Sequence, residues 1–195
     1  MTMSVRIVAM CILMLSASFG QAASRLPVTQ LHALSFGTSV AVAQATSWHS
    51  MTQAQRNEKI IARANVDDNH YVYPKECKGW VQDVVYSASG NTVWLPNTTS
   101  LLYTWCSDPS VYSVPKPFRV EWAQRGWIIQ MRWQNVGDKK IYPHTIIIEN
   151  VYSTYMDIID CNLFAPYTVK HRTMTFDYFY QHLTGQYDYT LYYVL

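Results

Sequence analysis

The half of the chain beyond Gly126 most restricts its fold. There, runs rich in Ile, Val, Tyr, Trp and Thr alternate with turn signals. "GWIIQMRWQ", "YPHTIIIENV", "YMDIIDCNL", "YTVKHRTM" and "YDYTLYYVL" each have strand length and strand composition. "NVGDKK" supplies a hairpin-type turn between the first two, and "TFDYFYQHLTG" reads as a short helix or turn. Five strands in close succession require an antiparallel sheet, and a sheet requires a covering layer on its apolar face.

The covering layer is legible upstream, where the period changes. "SMTQAQRNEKIIARAN" opens with Ser50 and Gln53, or Thr52 and Gln55, in capping-box spacing. Ile60, Ile61 and Ala64 then share a face, which predicts a helix over about residues 51–65. In "ECKGWVQDVVYSA", Cys77, Trp80, Val81, Val84, Val85 and Ala88 recur at threes and fours, and Gly90 follows as a stop. From Asn91 to about Arg119, Pro96, Pro109, Pro115 and Pro117 make the chain mostly loop, with a short piece near Leu101 to Trp105. Helices first and strands after give the α+β class.

The first 22 residues are set apart. Arg6 precedes an unbroken apolar run, Ile7 to Leu15, and small residues lead to Gly20-Gln21-Ala22. This is the pattern of a secretory signal peptide cleaved near Ala22, which makes the chain secreted or periplasmic. The run is too short to span a bilayer, and no later segment is apolar enough to do so. Residues 23–50 read as a linker or N-terminal arm, and 51–195 as one domain with a real core. Without Arg6 the balance is 14 basic residues against 13 acidic, with no basic block, so nucleic acid is not an expected partner. Charged residues make up only 14% of the chain while tyrosines number 15, which suits polar, uncharged surfaces such as glycans or peptides. Tyrosine is also simply a favoured strand residue.

Three cysteines follow the leader: Cys77, Cys106 and Cys161. No C-x-x-C or H-E-x-x-H occurs, so no metal or organic cofactor is expected. Cys77 opens its helix, where unpaired N–H groups and the helix dipole favour a thiolate and can hold an oxyanion. A nucleophilic thiol also needs a base and a group that orients the base. Among His32, His49, His70, His144, His171 and His182, His144 stands at the start of an apolar strand, on one face with Ile146 and Ile148. The next strand carries Asp160 and Asn162, two apart and so on a shared face. Each has a plainer reading: a disulfide half, a packed strand histidine, and residues that begin a turn.

Cysteine on a helix, histidine on a strand and an acid or amide on the next strand is the order of papain-like cysteine hydrolases. Over about residues 58–195 the chain resembles their CHAP group, the cysteine- and histidine-dependent amidohydrolases and peptidases, related to the NlpC type. The resemblance rests on "ECKGWVQDVV", "GWIIQM", "PHTIII", "DCN" and the aromatic final strand. It implies a papain-like fold, with Cys77 as nucleophile, His144 as general base, Asp160 at the acidic orienting position and Asn162 at the nearby amide. It further implies hydrolysis of a peptidoglycan amide through a thioester, either the N-acetylmuramoyl–L-alanine bond or a stem-peptide bond. Two departures stand out: Trp127 replaces the usual acid after the strand-opening glycine, and Asp160 replaces a glutamate. A non-catalytic wall- or glycan-binding module on the same fold, or a secreted envelope-targeting effector, are the alternatives. A Cys106–Cys161 disulfide is the one pairing that leaves Cys77 free, and two buried free thiols are the other arrangement.

Overall fold

A computed structural model describes residues 47–96, 105–134, 139–163, 165–185 and 188–195. The stretch read as a signal peptide, most of the stretch read as an arm, the Asn-Thr-Thr triplet at 97–99, Tyr103 and residues 135–138 of the stretch read as a hairpin-type turn lie outside these. All the described residues belong to one unit, Gln44–Leu195.

The capping box at Thr52 forms as its spacing predicts: the Gln55 N–H donates to Thr52 Oγ1 and the Thr52 N–H to Gln55 Oε1. It starts α1, Gln53–Val66, whose Ile60, Ile61 and Ala64 are buried. The second helix, α2, runs Cys77–Ala88 with Glu76 as N-cap, and Gly90 lies beyond its end at φ +68°. Six strands follow, among them β1 (Val111–Ser113), β2 (Ile128–Gln134) and β3 (Ile141–Val151). The others are β4 (Tyr155–Cys161), β5 (Val169–Thr175) and β6 (Tyr189–Val194), with a short helix α3, Phe176–Gln181, before β6. The strand β1 falls in the proline-rich stretch read as loop; three residues are too few to leave a periodic signal.

The six strands make one sheet in the order β1-β6-β2-β3-β4-β5, and every pairing is antiparallel. Strands β2 to β5 form a meander, whereas β6 returns to lie between β1 and β2. Strand alternation gives the sheet two apolar faces. Ile128, Ile147, Ile159 and Cys161 pack with Trp80, Val81, Val84 and Val85 of α2. Ile129, Ile146, Ile148 and Ile158 pack on the other side with Trp127, Phe176 and Phe179. Trp48, within the stretch read as an arm, is buried in the first of these cores and donates from Nε1 to the Leu195 carbonyl at 2.7 Å. None of the helices among the described residues is long and apolar enough to cross a membrane.

Candidate functional site around Cys77 and His144

Cys77 is the first residue of α2 and is buried, while Glu76 beside it is exposed. Its sulfur lies 4.0 Å from the Pro143 carbonyl oxygen and receives the N–H groups of Thr145 and Lys78. In an extended strand the carbonyl of residue i−1 and the N–H of residue i+1 point to the same edge. The thiol therefore sits against the β3 main chain on both sides of His144.

The register explains why that edge is open. Ile146 faces Asp160 across the β3–β4 ladder, so the next places along would set Cys161 opposite Thr145 and Asn162 opposite His144. β4 instead ends at Cys161, and Asn162 takes a left-handed turn at φ +76°. Asn is one of the few non-glycine residues that tolerate this conformation. Asn162 Oδ1 accepts the Tyr167 N–H at 3.1 Å, which fixes the turn. Strand β4 thus stops where it would have covered Pro143 and Thr145, and the start of α2 fills the notch.

His144 is 5% exposed and pairs with Met131 of β2. By alternation it lies on the face of Ile146 and Ile148, away from the body of α2. Its Nε2 is buried with no hydrogen-bond partner. Burial first, and then the charge of Arg172, push the imidazole down from 6.5 to about 3, so it is neutral. Asp160 shares this face. It is wholly buried, takes the Arg172 Nε–H on Oδ2 at 2.7 Å and accepts the Leu163 N–H on Oδ1 at 3.3 Å. Burial pushes its carboxyl up against the pull of Arg172.

The notch thus brings the Cys77 sulfur against the backbone on both sides of His144, and β3 and β4 set Asp160 on the face of His144, opposite Ile146. Asp160 is hydrogen-bonded to Arg172 and not to the imidazole, and the Asn162 carbonyl is used in its own turn. Arg172 was not singled out in the sequence; its signal is a cation at the alternation-matched place on the strand after Asp160. The helix start does not lower the thiol. Burial outweighs the two N–H groups and pushes Cys77 up to about 11.

Cys161, rather than Asp160, occupies the sheet face of α2, and its thiol sits 3.6 Å from the Lys75 carbonyl. The Cys106–Cys161 bridge is not present, since all three cysteines are free. Cys106 is exposed and contacts the Tyr192 hydroxyl at 3.2 Å, while Cys161 is buried under α2, so the two thiols have different surroundings. Trp127 lies against Phe118 and Tyr193, is 8% exposed and has a buried Nε1 without a partner. Trp80 and Trp105 are core residues, as packing predicts, while Trp94 is exposed against Tyr86. Among the described residues no group of three or more potential ligands could hold a metal ion.

No family model matches the chain, and no curated protein matches it. Among solved structures it is similar to the crystal structure of Ly7917, at 17% identity and a TM-score of 0.47, over 74% of this chain and 63% of that one. It is likewise similar to the crystal structure of Ly7917 with the hydrolyzing product of MDP, at 16% identity and a TM-score of 0.47, over 73% and 63%. The chain spans less than two thirds of the length of the structures it matches.

Proposed function

We propose that this chain is an exported, papain-like cysteine hydrolase of the CHAP type that cleaves an amide bond in peptidoglycan. One observation carries the reading: a thiol at a helix start, seated on the strand backbone at a buried histidine whose Nε2 has no partner. Asp160 on the same face as His144 supports it.

In this mechanism the resting proton stays on sulfur, because burial disfavours both the thiolate and the imidazolium. The imidazole, on the far face of β3 from α2, must turn round the open strand edge to reach the sulfur, and it then acts as a general base during attack, not as half of a standing ion pair. As the sulfur bonds to the carbonyl carbon, its proton passes to His144 and the carbonyl oxygen takes the negative charge. Main-chain N–H groups at the start of α2 hold that oxygen. His144 then protonates the departing amine, which leaves a thioester on Cys77. A water molecule deprotonated by His144 releases the acid and regenerates the thiol. The Asp160 carboxylate favours the transient imidazolium.

The engagement of both Asp160 oxygens elsewhere favours a second reading, a wall-binding module that has lost turnover. One experiment separates the two. Purified protein is incubated with sacculi, released fragments are identified by mass spectrometry, and bound protein is measured by sedimentation. The hydrolase reading expects fragments with a new amine terminus, none from Cys77→Ala, and a rate about 10²–10⁴-fold lower in His144→Ala. Sedimentation of the wild-type protein without fragments, unchanged in Cys77→Ala, establishes the binding module instead.

A further inference from the structure

Three tyrosines at the approach to α2 play no part in the chemistry above. Tyr71 is 66% exposed and Tyr73 64% exposed, so neither is there to fill the core. Their rings are parallel to within 5° with centroids 6.1 Å apart. Tyr167 stands edge-on to both, at 5.8 Å and 5.0 Å. Rings this close fill the space among themselves, so the group is not a cage for a cation, which must itself sit between the faces. It is a braced shelf that turns aromatic surface outward.

The backbone holds the shelf in place beside the notch. Tyr71 bridges Thr168, and the Val72 N–H donates to the Tyr167 carbonyl at 2.8 Å. The Tyr167 N–H is the donor that pins Asn162, at the open end of β4. On the other side Tyr73 precedes Cys77 by four residues, which is at most about 14 Å of extended chain. A substrate reaching Cys77 from this side crosses the tyrosines before the sulfur.

Tyrosine has an apolar ring face and a hydroxyl that both donates and accepts. That pairing matches a pyranose, whose C–H face is apolar and whose rim is hydroxyl. We propose that Tyr71, Tyr73 and Tyr167 form a saccharide-stacking subsite next to Cys77. The subsite takes a sugar ring of the wall glycan, so the bond presented to the sulfur is the amide attached to the sugar-bearing acyl group, not one further along the stem peptide. This rests on the hydrolase reading and narrows its substrate.

Saturation-transfer NMR on the full chain tests it, with chitotetraose as one probe and a sugar-free stem tripeptide as the other. Wild-type protein and Cys77→Ala both transfer saturation to the sugar ring protons. Tyr71→Ala/Tyr73→Ala reduces that transfer at least fivefold, with an unchanged circular dichroism spectrum. Tyr71→Phe/Tyr73→Phe, which keeps the ring faces, retains most of it. No transfer to chitotetraose from the wild type, equal transfer in the alanine pair, or tyrosine-dependent transfer to the tripeptide alone each overturns the subsite. Failure of the hydrolase reading shows elsewhere, as wall cleavage that survives Cys77→Ala, and does not alter the sugar result.

Discussion

A buried histidine nitrogen with no partner is a costly residue to keep, and His144 is one. Its imidazole is held near 3 in the folded chain against 6.5 when free. Below pH 6.5 the unfolded chain takes up a proton that the folded chain does not, so stability falls as the pH drops towards 3. Between pH 6.5 and 5, above the range where most carboxylates titrate, this group lowers stability as the pH falls. His144→Gln is therefore expected to flatten the dependence of the urea midpoint on pH across that window; an unchanged slope would place the titrating group elsewhere. His144 itself was legible in the sequence, because a histidine opening an apolar strand is conspicuous. Its orientation was not. Alternation groups residues by face, but only the packing of α2 on Ile147 and Cys161 says which face the helix covers. For the same reason the sequence could pair Asp160 with Asn162 but could not foresee Arg172 taking the carboxylate.

At the scale of elements, α1 closes on the turn that leads into β2 at Gly126. Gly126 has φ +81°, and a Cβ there would meet the Asn57 Cβ at 2.6 Å, Cα at 2.7 Å and O at 2.9 Å. Its N–H donates to the Ile148 carbonyl at 2.8 Å, which sets where β2 begins against β3. Gly90, at φ +68°, has nothing within 4 Å of the same position. Gly126→Ala combines left-handed strain with a clash against helix backbone and is expected to destabilise by about 2–4 kcal/mol. Gly90→Ala carries the strain alone, about 1 kcal/mol. Equal denaturation midpoints for the two would contradict this account of the junction. The helices and five of the strands were readable because each is long enough to show its period. β1 and the helix–sheet contact at Gly126 were not, since both depend on residues distant in sequence.

Across the whole molecule, burial divides the thiols. Cys106 is exposed, while Cys77 and Cys161 are enclosed between α2 and the sheet and pushed up to about 11 and about 12. Iodoacetamide at pH 8 is expected to label Cys106 first, with Cys77 and Cys161 reacting at model-thiol rates only in denaturant. Mass spectrometry of timed samples reads the order directly, and early labelling of Cys77 would mean the notch opens in solution. The α+β class was available from the order of helix and strand patterns alone. The place of the last strand was not, because five similar runs do not announce which neighbours they choose.

That place has a consequence for how the molecule is made. β6 follows the other described strands along the chain and yet joins β1 to the rest of the sheet. A ribosome delivers the meander, both helices and β1 before it delivers the piece that unites them. Until residue 194 has emerged, β1 and β2 have bare edges towards each other, and the nascent chain carries an unclosed seam. The sheet therefore closes only after synthesis has passed β6.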